Sequence, residues 1–78
     1  MLTVRGLPAP PAGKVYEVWI ERGGGIRPTG ALFAVGADGR GAAAIPGGVR
    51  GAKTVLVTRE PSRGSPHPTE RPPIRVRI

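Results

Sequence analysis

Val15-Tyr16-Glu17-Val18-Trp19-Ile20-Glu21 is the stretch on which the fold turns. It contains no glycine or proline, and β-branched and aromatic residues dominate it, so an extended strand is its natural state. Side chains of a strand alternate between its two faces. Tyr16, Val18 and Ile20 therefore share one wholly apolar face, while Val15, Glu17, Trp19 and Glu21 share a mixed one. A segment built this way belongs inside a sheet, with its apolar side turned to a core.

Working outward, the chain is cut into short pieces by turn residues. Upstream, Leu2 to Arg5 reads as a short strand, followed by Pro8-Ala9-Pro10-Pro11, a stiff connection lacking ladder N–H groups. Downstream, Gly23-Gly24-Gly25 breaks the strand and Pro28-Thr29-Gly30 sets up another turn. Two apolar runs, 31–35 and 41–45, flank Ala37-Asp38-Gly39-Arg40. Asp-Gly between apolar runs predicts a β-hairpin over residues 31 to 45, closed by a type I′ turn with positive φ at both central residues. Lys53 to Glu60 is rich in β-branched residues and apolar on both faces near its middle, as a central strand is. The stretch 61–73 holds five prolines and reads as a loop. Ile74-Arg75-Val76-Arg77-Ile78 alternates apolar and cationic residues, which suits an edge strand whose outward charge discourages unwanted pairing.

Helix signals are nearly absent: the one alanine run, 42–44, is bracketed by Gly41 and Pro46. With 78 residues, 13 of them glycine and 10 proline, the chain makes one small domain of many turns. Leu, Ile, Val and Phe still supply 18 residues, enough to stay above the composition of disordered chains. The fold class that follows is all-β, a small antiparallel sandwich of five to seven short strands, Ig-like or open-barrel-like.

Composition also narrows the chemistry. There is no cysteine, so disulfides and thiolate metal ligation are excluded, and the single histidine, His67, makes no metal site alone. No cofactor is expected. No apolar run approaches the eighteen or so residues that cross a bilayer, so the chain as it stands reads as soluble. The Gly23-Gly24-Gly25 run lacks the helix and the Lys-Ser/Thr pair of a phosphate loop, and reads as a plain turn. Ser65, His67 and a carboxylate such as Glu60 or Glu70 are the residue types of a hydrolase, yet nothing around them builds a nucleophile elbow or an oxyanion hole. No residue is assigned to catalysis, and the chain reads as a non-enzyme.

The net charge is +7, with ten of the twelve cations arginine. Arg63, Arg71, Arg75 and Arg77 are the candidate contacts for an anionic partner. A basic β-barrel binding nucleic acid non-specifically is the alternative functional reading. Base stacking needs surface aromatics, however, and only Tyr16, Trp19 and Phe33 exist, all of them wanted inside.

One further pattern spans residues 6 to 70. Gly6-Leu7-Pro8 and Pro11 lead into Gly13-Lys14-Val15-Tyr16-Glu17-Val18-Trp19-Ile20, and the later segment reads Val57-Thr58-Arg59-Glu60-Pro61-Ser62-Arg63-Gly64-Ser65-Pro66-His67-Pro68-Thr69. This resembles the C-terminal domain of the anti-sigma-K factor family, with its Gly-Lys-x-Tyr-x-x-Trp strand and its Thr-x-Glu-Pro ending. The positions that carry the resemblance are Gly13, Lys14, Tyr16, Trp19, Thr58, Glu60, Pro61, Gly64, Ser65, Pro68 and Thr69, read as mainly structural. Arg63 stands where the family usually has glycine.

The resemblance implies the extracytoplasmic part of a bacterial transmembrane anti-sigma regulator, a sensory or protein-interaction module without catalysis. In that family a sigma factor and a membrane protease act on other segments, and membrane proximity comes through a segment absent from this chain. The family domain also has strands ahead of its Leu-Pro lead, so a sheet edge is expected to be open here, the chain being either an excised or truncated piece or a short relative that completes its sheet by dimerising.

Overall fold

The computed structural model describes residues 2–46, 52, 54–69 and 74–77, with the backbone alone at 76 and 77. Every regular element among them is a strand: β1 Leu2–Val4, β2 Lys14–Arg22, β3 Gly25–Phe33, β4 Gly41–Ala43, β5 Thr54–Pro61 and β6 Ile74–Arg77. They form two antiparallel sheets, one of four strands in the order β3-β2-β5-β6 and one of two strands, β1-β4. This is the small all-β sandwich the sequence implies. The two central strands are β2, which holds Val15–Glu21, and β5, which begins at Thr54 within the expected 53–60 segment, and β6 lies at an edge. No helix among the described residues is long and apolar enough to cross a membrane.

Two local readings are corrected. The expected turn at Pro28-Thr29-Gly30 lies inside β3, because this strand is an edge and proline is tolerated there. Glu17 pairs with Leu32 and Trp19 with Pro28, so Thr29, Gly30 and Ala31 face Val18 alone and the strand bulges. The Thr29 hydroxyl supplies the interrupted ladder's partners, donating to the Val18 carbonyl at 2.8 Å and accepting from the Ala31 amide at 3.1 Å. The tight hairpin instead sits at Gly23-Gly24, between the paired Arg22 and Gly25, with φ of 59° and 81°. Two successive positive φ angles are what a type I′ turn requires.

The hairpin expected over residues 31 to 45 is the second correction. A reverse turn is present: the Gly39 amide donates to the Gly36 carbonyl and the Gly36 amide to the Arg40 carbonyl, both at 2.9 Å. Only Gly39 has positive φ (76°) there, and no non-glycine residue does, so Asp38 is not in the type I′ geometry. Asp38 Oδ1 accepts from the Arg40 amide at 3.0 Å instead, the local bond that makes aspartate a turn residue. Beyond this turn the two arms part, β3 remaining in the large sheet while β4 pairs with β1. Glycine at 41 permits the crossing, since a Cβ there would lie 2.9 Å from the Ala34 carbonyl oxygen and 3.0 Å from the Phe33 ring.

The aliphatic core lies between the sheets. Tyr16, Val18 and Ile20 of β2, Ala31 and Phe33 of β3, Ala43 of β4, and Val55 and Val57 of β5 are buried together, with Leu2, Val4, Leu7, Val35, Ile45 and Ala52 packed against them. Tyr16 and Phe33 are cross-strand partners whose rings stack with centroids 5.4 Å apart. The Tyr16 hydroxyl donates to the Pro8 carbonyl at 2.6 Å, fastening the proline-rich connection over one end of the core. Fully burying each large apolar side chain contributes about 1.5–3 kcal/mol, which a chain of this size needs.

Candidate functional site

The opposite face of the four-stranded sheet is mixed, and its centre on β2 and β5 is buried as well. Alternation sends Glu17 and Trp19 of β2 to this side, and Leu56, Thr58 and Glu60 of β5 beside them through the pairs Trp19–Leu56, Glu17–Thr58 and Val15–Glu60. Trp19, Thr58 and Glu60 are 0% exposed and Glu17 is 3% exposed. Two glutamates buried side by side on one sheet face must find hydrogen-bond donors, because an unpaired buried carboxylate is prohibitively costly.

The donors come from residues 62–69, which leave the end of β5 and turn back across this face as a clasp. The Trp19 indole N–H donates to Thr58 Oγ1 at 2.8 Å, and the Thr58 hydroxyl in turn donates to Glu60 Oε2 at 2.5 Å. Thr69 reaches the same carboxylate twice, with its amide to Oε2 at 3.0 Å and its hydroxyl to Oε1 at 2.6 Å. The Ser65 amide donates to Glu17 Oε1 at 2.8 Å. No buried side-chain polar atom among the described residues lacks a partner.

The start of the clasp is fixed by backbone. The Ser62 amide donates to the Gly13 carbonyl at 3.1 Å and the Gly64 amide to the Pro61 carbonyl at 2.7 Å. Gly64 has φ 82°, and a Cβ there would sit 3.3 Å from Glu17 Oε1 and 3.4 Å from Leu32 Cδ2. Glycine at 64 is thus demanded both by the left-handed turn and by the close approach to the carboxylate. Lys14 is exposed where β2 begins, and its amide closes a turn onto the Pro11 carbonyl at 3.0 Å.

The two carboxylates respond oppositely to this setting. Burial is the largest influence on Glu17 and pushes its pKa above the ordinary carboxylate value; the Ser65 amide offsets part of this and the neighbouring Glu60 charge adds to it. Burial also acts to raise Glu60, but the bonds from Thr58 and Thr69, with the Ser65 side chain nearby, together outweigh it and hold that pKa below the ordinary value.

The residues singled out by sequence thus divide. Tyr16 belongs to the aliphatic core, whereas Trp19, Thr58, Glu60, Gly64, Ser65 and Thr69 meet in one network, with half-buried Pro68 in the clasp between the last two. Glu17 was readable only as a member of the mixed face, and it proves to be the clasp's second anchor. The usable signal was two glutamates on one face of two central strands, with hydroxyl residues a few positions downstream. The Ser65 amide is spent on Glu17, His67 is exposed, and no hydrogen bond joins the two among the described residues, so the hydrolase residue types are not arranged as a triad. The three aromatics are buried, which leaves no stacking platform for bases.

Of the candidate arginines, Arg63 and Arg75 make no bond to the network among the described residues. Arg63 is exposed beside an open hollow formed with Glu17, Gly30, Leu32 and Ser65. Arg75, exposed on β6, forms a loose ion pair with Glu21 at 3.7 Å. Arg71 and the Arg77 side chain lie outside the described residues.

Known proteins share this pattern. A family model described as "Anti-sigma-K factor rskA, C-terminal" matches residues 1–74. A Streptomyces griseus protein described as "Uncharacterized protein in phr 5'region" is 36% identical over 67 residues, covering 86% of this chain. The matched region is 27% of that relative, so the chain spans about a quarter of its length. No solved structure matches the chain. Since the family match runs over β1 to β5 and the clasp and ends at the first residue of β6, the chain belongs to the C-terminal domain family of the anti-sigma-K factors, which are membrane-associated regulators.

Proposed function

We propose that this domain is the extracytoplasmic, non-catalytic part of a transmembrane anti-sigma factor, and that it works as a protein-interaction and sensory module. The observation that carries the reading is the convergence of the family-matching positions on a closed internal network. Trp19, Thr58, Glu60 and Thr69 spend their polar groups on one another and the Ser65 amide closes on Glu17, which suits a scaffold. Its mechanism is steric: the folded sandwich sets whether a protease reaches a membrane-proximal segment, and loss of the fold exposes that segment. The sigma factor is held by another part of the regulator.

The test is genetic. Trp19→Ala introduced into the gene in its own cell should change the output of one sigma-factor regulon by about ten-fold or more, read with promoter reporters. Unchanged reporters in cells where the variant domain is shown to be unfolded contradict the proposal. Self-association belongs to the same reading, because two strands face four and Ile74 at the β6 edge is 41% exposed. Light scattering should give the mass of a dimer; a monomer at all concentrations removes that part.

A further inference from the structure

The small sheet carries an arrangement that neither the fold nor the proposed function uses. Its register pairs Leu2 with Ala43, Thr3 with Ala42 and Val4 with Gly41, so the next residues along the two strands, Arg5 and Arg40, stand at opposing positions. Both are exposed, and together with Thr3, Val4 and Gly41 they line one open hollow. Like charges directly opposite each other on antiparallel strands are destabilising, and nothing in the core requires arginine at either position. A carboxylate between them would remove the cost, yet no ion pair to either side chain is found among the described residues. The adjacent acid, Asp38, turns Oδ1 to the Arg40 backbone amide. Two other carboxylates, Glu17 and Glu60, are buried on the far side of the large sheet.

The surroundings also hold the pair in place. Arg40 is set by the Gly36–Arg40 bond at 2.9 Å, and the Leu7 amide donates to the Gly39 carbonyl at 3.3 Å, tying the turn to the chain that follows Arg5. Guanidinium groups are planar donor forks whose geometry matches tetrahedral oxyanions, and a hydroxyl such as that of Thr3 supplies a further donor. We propose that Arg5 and Arg40, with Thr3, form a site for a phosphate group, presented as a free anion or as the headgroup of an anionic lipid. The site stands independently of the anti-sigma reading.

The test uses the whole chain in two arms. In the first, sodium phosphate is titrated against sodium chloride at matched ionic strength and followed by two-dimensional NMR of amides and arginine side chains. In the second, sedimentation is measured with vesicles of phosphatidylglycerol in phosphatidylcholine and with phosphatidylcholine alone. Arg40→Gln should weaken binding by about five-fold or more, whereas Arg22→Gln, an equal loss of charge at the β2–β3 hairpin, should change it by less than about two-fold. Saturable shifts confined to residues 3–5 and 40–42 in phosphate identify a free-anion site. Selective loss of phosphatidylglycerol binding in Arg40→Gln identifies a headgroup site. Shifts that spread over all arginines without saturating, combined with vesicle binding that is absent or falls equally in both variants, overturn the proposal. Arg5→Gln serves as a second variant, and Trp19 fluorescence reports that each remains folded.

Discussion

Trp19→Ala should abolish cooperative folding at ambient temperature. The indole is 0% exposed, so its loss opens a large cavity on the clasp side of the sheet. Cavities of this kind cost about 3–5 kcal/mol. The same change removes the indole donor to Thr58 Oγ1, the first bond in the chain that ends at Glu60. A domain of 78 residues has roughly 4–12 kcal/mol of total stability, so one substitution consumes much or all of it. Trp19→Phe restores most of the volume without the N–H and should lose about 1–2 kcal/mol more than volume alone explains. Urea melts followed by circular dichroism measure both. A Trp19→Ala variant within about 1 kcal/mol of wild type would show that the second face of the sheet is not a packed core.

The second large effect is a difference in sign between two neighbouring glutamates. Glu60→Gln should destabilise by about 3 kcal/mol at neutral pH, because an amide nitrogen now faces donors from Thr58 or Thr69 in place of an acceptor oxygen. Glu17→Gln keeps an oxygen for the Ser65 amide and removes a buried charge next to Glu60, so it should be neutral or stabilising by about 1 kcal/mol. The pH dependence follows from the same directions. Glu17 has a raised folded pKa, so its contribution is full below the unfolded value and is lost as pH rises through the folded one. Glu60 has a lowered folded pKa, so its contribution is full above the unfolded value and is lost as pH falls through the folded one. Acidifying from neutral therefore first relieves the Glu17 cost and only later removes the Glu60 benefit. Wild-type stability should peak on the mildly acidic side of neutral, and Glu17→Gln should flatten that rise. A variant pair with equal effects at neutral pH contradicts the assignment of unequal roles.

The parts of this fold that were legible in sequence are those governed by period-two patterning. Alternation in 15–21 separated the face of Tyr16, Val18 and Ile20 from that of Glu17 and Trp19, and both β2 and β5 are central strands. What escaped sequence reading depended on side-chain oxygen atoms acting at a distance. Thr29 repairs a ladder that Pro28 and Gly30 would otherwise end, so a turn signal became a bulge. Asp38-Gly39 makes a reverse turn as its composition suggests, but small residues at 41–43 let the returning arm leave β3 and pair with β1. The clasp was readable only as a proline-rich loop. Its actual acceptors, Glu17 and Glu60, lie 48 and 9 residues from their donors Ser65 and Thr69. Polar residues in central strands gave the hint, since a carboxylate there reaches donors only if another segment folds over it.

The account rests on residues 62–69 sealing the second sheet face through Glu17 and Glu60. Native-state hydrogen exchange at the Ser65 and Thr69 amides tests this most directly. Both should exchange about as slowly as the β5 ladder amides, and Thr69 should lose that protection in Glu60→Gln while the β2–β5 ladder keeps its own. Exchange at both amides as fast as in an open loop, in the folded wild-type chain, would contradict it.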